Sequence, residues 1–127
     1  MTTRDDLKEI ADRWMEDVWQ RGDVEAIDEL HAPDFVDHSP AGRTPDRDGF
    51  KAGVAELYAA FPDFSTVTER LVIDATADTV AVRWTAVGTH KGTFMGVPPT
   101  GKRIAFEGVE ILRIRDGRIV ERWGEWD

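Results

Sequence analysis

Apolar positions along the chain change period once, near its middle. In the first part they recur at helical spacing: Leu7, Ala11, Trp14 and Val18 mark one stripe, and Ile10, Met15 and Trp19 widen it. The spacing predicts a helix over 4–20, broken by "RGD" at 21–23. Asp23 is placed to cap a short second helix, "VEAIDELH". "APDFVDHSP" has a proline at each end, with Phe35 and Val36 as its apolar content, and reads as a short edge strand or extended segment. Thr44-Pro45 is a helix start, and Phe50, Val54, Leu57 and Phe61 form one helix face until Pro62 stops it.

After Pro62 the period becomes two. "FSTVTERLVIDA" and "DTVAVRWTAVGTH" read as strands joined by a turn around Ala75–Asp78. "KGTFMGVPPTGKR" holds too much Gly and Pro for a ladder and reads as a loop, a lid or rim over a pocket. "RIAFEGVEILRI" and "RIVERWGEW" flank Asp116-Gly117, the clearest hairpin signal in the chain. Helices followed by antiparallel strands predict an α+β fold with helices on one face of the sheet, and residues 1–127 read as one domain.

The register of the last hairpin decides which side chains share a face. A two-residue turn sets Ile111 opposite Arg122. A three-residue loop sets Glu110 opposite Arg122 and Gly108 opposite Gly124, and is preferred because it pairs opposite charges. One face then holds Glu110, Leu112, Ile114, Val120, Arg122, Gly124 and Trp126. The other holds Val109, Ile111, Ile119 and Trp123 with Arg113, Glu121 and Glu125. Apolar and charged groups on both faces fit helices on one side and a cavity or partner subunit on the other.

Charge narrows the function classes. A net −9 repels phosphate backbones and argues against nucleic acid, and the absence of cysteine removes thiolate ligands and nucleophiles. The polar start "MTTRDDLKEI" has no signal-peptide core and the apolar runs are too short for a membrane span, so a cytoplasmic protein is expected. Three scattered histidines without metal-ligand spacing predict no metal site.

"GTHKGTFMGVPPTG", with "VEILRIRDGRIVERWGEWD" after it, resembles the SnoaL-like polyketide cyclases, or ester cyclases, of the nuclear transport factor two-like superfamily. The resemblance implies a cone-shaped α+β fold, about three helices on a strongly curved antiparallel sheet around a hydrophobic pocket, and a homodimer or higher oligomer. It also implies cofactor-independent chemistry. The founding cyclases close a ring in aromatic polyketide methyl esters by an intramolecular aldol reaction, using an aspartate on the final strand and a histidine on the preceding one. Aligned without gaps through "DGRI", the histidine falls on Glu110 and the aspartate on Gly124. The fold carries over; the catalytic pair does not.

The catalytic candidates are therefore Glu110 and Arg122 as a polar anchor, Glu125 and Asp127 as late carboxylates, and His38 beside Asp37 at the cavity mouth. For Glu110 and Arg122 the alternative is a satisfied cross-strand pair, and for His38 a surface turn residue. Ligand-lining candidates are Trp14, Met15, Trp19, Asp37, Arg83, Trp84, Phe94, Met95 and Trp126. His90 is expected to hold the following loop, and His31 to be a helix-terminal residue. Three readings stand: a cyclase or isomerase acting on a hydrophobic carbonyl compound, a non-catalytic binding or dimerisation module, and an epoxide hydrolase. The last would use Asp37, Arg83 or Arg122, and a late carboxylate around a water.

Overall fold

In the computed structural model, which describes residues 2–127, the chain runs α1 (Arg4–Arg13), α2 (Val24–Leu30), β1 (His31–Asp37), α3 (Arg47–Ala60), β2 (Ser65–Asp74), β3 (Thr79–Thr89), β4 (Arg103–Arg115) and β5 (Arg118–Trp126). One five-stranded sheet has the order β1-β5-β4-β3-β2. Strands β2 to β5 are antiparallel neighbours, and β1 joins the edge of β5 in parallel. Register shifts in β1, β2 and β5 mark bulges, which bend a strand and increase its twist. The helices pack on one face, where Leu7, Trp14, Ile27 and Val54 meet Val80, Val82, Leu112 and Ile119. No helix among the described residues is long and apolar enough to cross a membrane.

Local chemistry explains where the helices begin. Thr3 and Asp6 form a reciprocal capping box at α1, and Asp23 accepts from the backbone N–H groups of Glu25 and Ala26 at α2. The start expected at Thr44-Pro45 moves to Asp46, whose carboxylate accepts from Gly49 N–H at 2.8 Å while Thr44 Oγ1 donates to it at 2.7 Å. The helix predicted over 4–20 is α-helical only to Arg13 and continues as a π-helix through Trp14–Gln20. Its i→i+5 bonding brings residues five apart toward one face. Trp14 and Trp19 meet there edge to face, with centroids 5.5 Å apart.

Trp14 is wholly buried, and its Nε1–H donates to His31 Nε2 at 2.9 Å. His31 is the helix-terminal residue expected, at the C-terminal cap of α2, and it also opens β1 at 0% exposure, against Phe35 and Phe50. Burial first, then the nearby Arg122 and Arg47, lowers its pKa from 6.5 to about 3. A depressed histidine contributes stability that is complete above its unfolded pKa and is lost as pH falls toward the folded value. Acid unfolding between pH 6.5 and about 3 should therefore carry a His31 contribution on the order of 5 kcal/mol. His31→Gln keeps an acceptor for Trp14 without the titration. Denaturant melts across that range should show a flatter pH dependence in this variant.

The β4–β5 hairpin begins as the two-residue Asp116-Gly117 turn, with both φ angles positive at 53° and 77°. A bulge at Val120 then shifts the ladder, so that Leu112 faces Arg122 and Glu110 faces Gly124. This corrects the register expected from charge pairing. It also moves Ile119 from the outer face into the core, beside Val120.

Candidate active site

Three charged side chains converge on the inner face of the sheet. In extended β1, Phe35 and Asp37 share the inward phase and are 2% and 4% exposed. Parallel pairing sets Asp37 beside Arg122. Arg122 Nη1 donates to Asp37 Oδ1 at 3.0 Å, to Oδ2 at 3.1 Å and to the Ser39 carbonyl at 3.2 Å, while its Nε donates to Glu110 Oε1 at 2.7 Å. Trp84 Nε1–H lies 3.5 Å from Glu110 Oε2. The Glu110–Arg122 pair thus forms, but diagonally across the ladder.

Gly124 makes the diagonal possible. A Cβ at this position would lie 2.5 Å from Arg122 Nη2 and 2.8 Å from Glu110 Oε2. The guanidinium and carboxylate occupy the space a side chain would need, and Gly124 N–H donates to Ser39 Oγ at 3.0 Å. Gly124→Ala should displace the pair and cost roughly 1–3 kcal/mol, as overpacking does. A chemical denaturation midpoint equal to that of the parent would show that the pair has room to move.

Two carboxylates share one guanidinium here. Burial pushes the Glu110 carboxyl up against the opposing pull of Arg122, and the neighbouring Asp37 adds to the rise. Burial alone would lower Arg122, but the charges of Glu110 and Asp37 outweigh it, and its pKa is raised. Arg122 therefore stays cationic. Glu110, held above the ordinary glutamate range, is the group of the three set up to exchange a proton.

These groups line one side of a cavity of about 110 Å³. Trp19 from the π-helix, Phe50, Val54 and Leu57 from α3, and Trp84 and Phe106 from the sheet supply much of its apolar wall. The loop 38–46 and the Phe94–Val97 turn form parts of its boundary. Phe94 packs on Phe61 and Trp126 with centroids at 5.2 and 6.1 Å, while Met95 at the turn tip is exposed and has φ 50°. His90 holds the loop base: its Nδ1 is 3.1 Å from Thr100 Oγ1, and its backbone pairs with Lys102 and Gly101.

Glu110, Arg122, Asp37, Trp19, Trp84, Phe94, Met95 and Trp126 thus meet around one cavity. The other expected residues do not. Trp14 and Met15 are packed in the core. His38 follows Asp37 in an extended segment and so turns outward, where its ring stacks on Trp123 at 4.6 Å and its Nε2 lies 2.8 Å from Glu121. Glu125, in the outward phase of β5, is exposed, as is Asp127 just beyond the strand. Arg83, between inward Val82 and Trp84, is exposed on the outer face. Sequence reasoning missed Ser39, Arg43 and Phe64 at the cavity. Phe50 was visible only as a helix-face residue, and a loop arginine has no periodicity to reveal it.

The family model for SnoaL-like polyketide cyclase matches residues 9–127. The chain belongs to the SnoaL-like polyketide cyclase family. Over 87 residues, 68% of this chain, it is 31% identical to the aklanonic acid methyl ester cyclase DnrD of Streptomyces peucetius, spanning only 58% of that relative's length. Among solved structures, IdmH of Streptomyces antibioticus, a proposed polyketide cyclase, is 38% identical with a TM-score of 0.81, over 95% of this chain and 91% of that one. AclR of Streptomyces galilaeus, a proposed hydroxylase, is 31% identical with a TM-score of 0.85, over 98% and 91%. The α+β architecture of helices on a curved sheet is thus a SnoaL-like one. Within this family's frame, the residues aligned with the expected histidine and aspartate, Glu110 and Gly124, face each other across the ladder.

Proposed function

We propose that this SnoaL-like chain binds a hydrophobic, carbonyl-bearing molecule of polyketide type and cyclises or isomerises it without a cofactor, with Glu110 as acid and base. The observation that carries this reading is a carboxyl of raised pKa on the wall of a largely apolar cavity. Ionised Glu110 takes a proton from the carbon between two carbonyl groups. In ring closure, the resulting enolate carbon bonds to a second carbonyl carbon, whose oxygen receives the electron pair and then the proton from Glu110. The apolar walls fold the ligand so that the reacting carbons meet. Arg122 stays charged and holds the Glu110 carboxyl in place.

The Asp37–Arg122–Glu110 arrangement favours a second reading, addition of water to an epoxide. One carboxylate takes a proton from water as its oxygen bonds to an epoxide carbon, and the other carboxylic acid protonates the departing oxygen. Product mass separates the two. Incubation with an aromatic polyketide methyl ester deuterated at the acidic carbon should give a rearranged product that has lost deuterium to solvent and gained no water. A gain of one water from an epoxide, with no change in the ester, would replace the cyclase reading by the hydrolase one. Turnover of neither would leave the binding-module reading.

A further inference from the structure

The cavity has hydrogen-bond capacity of one kind left over. Asp37 and Glu110 are both engaged by Arg122, and Trp84 Nε1–H approaches the remaining Glu110 oxygen. Among the described residues, the buried side-chain nitrogens without a hydrogen-bond partner are Trp19 Nε1, His31 Nδ1, Arg43 Nε and His90 Nε2. Trp19 and Arg43 line the cavity; His31 and His90 do not. Both cavity groups are obligate donors. An unmet buried donor is costly, so a bound molecule carrying acceptors gains by meeting them.

Arg43 is seated there by its surroundings. Ala41 and Gly42, with φ 51° and 86°, turn the loop, and Arg43 N–H donates to the Pro40 carbonyl at 3.0 Å. The guanidinium lies against α3 at Gly53, where a Cβ would come within 3.3 Å of Arg43 Nε. A helix-interior glycine costs about 1 kcal/mol relative to alanine. At Gly53 the missing side chain leaves the strip on which the arginine rests. Nη2 donates to Glu56 Oε2 at 2.6 Å on the solvent side, which leaves Nε on the buried side.

We propose that Arg43 is a specificity-determining residue of this cavity, its Nε–H donating to a neutral carbonyl oxygen, ester or ketone, of the ligand, with Trp19 Nε1–H as a second donor. The proposal deepens the cyclase reading by naming the group recognised away from Glu110. Charge selects a neutral acceptor over a carboxylate. Glu56 balances Arg43, Asp37 balances Arg122, and Glu110 and the net −9 of the chain oppose an added anion.

The test compares dissociation constants of methyl 2-naphthoate, the 2-naphthoate anion and 2-ethylnaphthalene by equilibrium dialysis. The parent protein should prefer the ester to the hydrocarbon by about tenfold, the worth of one or two hydrogen bonds. Arg43→Lys keeps the charge and the partner Glu56 but has no Nε–H; Arg43→Met removes both. Either should remove most of the preference, the remainder resting on Trp19 Nε1–H, and Trp19→Phe should reduce it in part. Glu56→Gln should leave it intact. A preference unchanged in both Arg43 variants, an equal loss in Glu56→Gln, tighter binding of the anion than of the ester, or no ester binding by the folded protein would each overturn the proposal. Because the readout is binding, it separates from the cyclase reading. Full turnover by Glu110→Gln with a lost ester preference in Arg43→Lys would sink the catalytic role of Glu110 and leave Arg43 standing.

Discussion

Glu110→Gln is expected to lower turnover of an aromatic polyketide methyl ester by about 10²–10⁴-fold, the usual worth of a positioned acid/base, with little change in KM. The amide keeps the shape of the carboxyl and an acceptor for Arg122 Nε, so the cavity wall survives. What disappears is the proton exchange. The pH profile gives the sign. As a base Glu110 works ionised, so the parent rate should fall as pH drops through a pKa held above the ordinary glutamate value. That acid limb should be missing from the residual rate of the variant. Stability runs the other way: the contribution of a raised carboxyl is complete below its unfolded pKa and is lost as pH rises through the folded one. Near neutrality Glu110→Gln should therefore remain well folded, and a parallel thermal melt separates lost chemistry from lost structure. An unchanged rate would remove Glu110 from the mechanism.

Arg122→Met carries the largest expected effect on stability. Arg122 is 7% exposed and is the cation between Asp37 and Glu110, which are 4% and 1% exposed. Forming such a cluster yields little net stability, because desolvation offsets attraction. Removing one partner is different, and typically costs 3–5 kcal/mol. For a domain of this size that lowers Tm by roughly 10–20 °C. Without the guanidinium that opposes the effect of burial, the Glu110 carboxyl holds its proton more tightly still in the folded state. The deficit should then shrink as pH is lowered and grow as it rises, and Glu110→Gln in the same chain should recover part of it. Calorimetric melts from mildly acidic to neutral pH check both. An equal deficit at every pH would mean that lost packing on Phe50, whose ring lies 5.3 Å from the guanidinium carbon, outweighs lost charge.

Much of the fold was legible because local chemistry and global packing agree. The period-two segments from Phe64 onward are the strands, and Asp116-Gly117 closes the hairpin it predicts. Disagreement began where one residue's geometry overrides a regular pattern. The bulge at Val120 cannot be read from alternation, and it shifts every partner of Glu110 and Arg122. Charge pairing pointed to the right two residues for the wrong reason: they meet because Gly124 is small, not because they stand opposite. The π-helical turn was hidden for a similar cause, since an apolar stripe at helical spacing does not report which hydrogen bond closes each turn.

The cavity shows the same division. Residues on regular strands could be assigned a face once the register was known, which puts His38 and Glu125 outside and Asp37 inside. Side chains delivered by the loop 38–46 carry no such pattern. Their positions depend on the backbone at Ala41 and Gly42 and on the bare strip at Gly53, which only three-dimensional placement reveals.

The most direct test of the account is a ¹³C NMR titration of the Glu110 carboxyl, assigned with Glu110→Gln and repeated with methyl 2-naphthoate in the cavity. The midpoint should lie above the ordinary glutamate range in the free protein and shift further when the ligand displaces water from the wall. A midpoint within or below that range, with no response to the ligand, would make Glu110 a structural counter-ion of Arg122 and would contradict its role as acid and base.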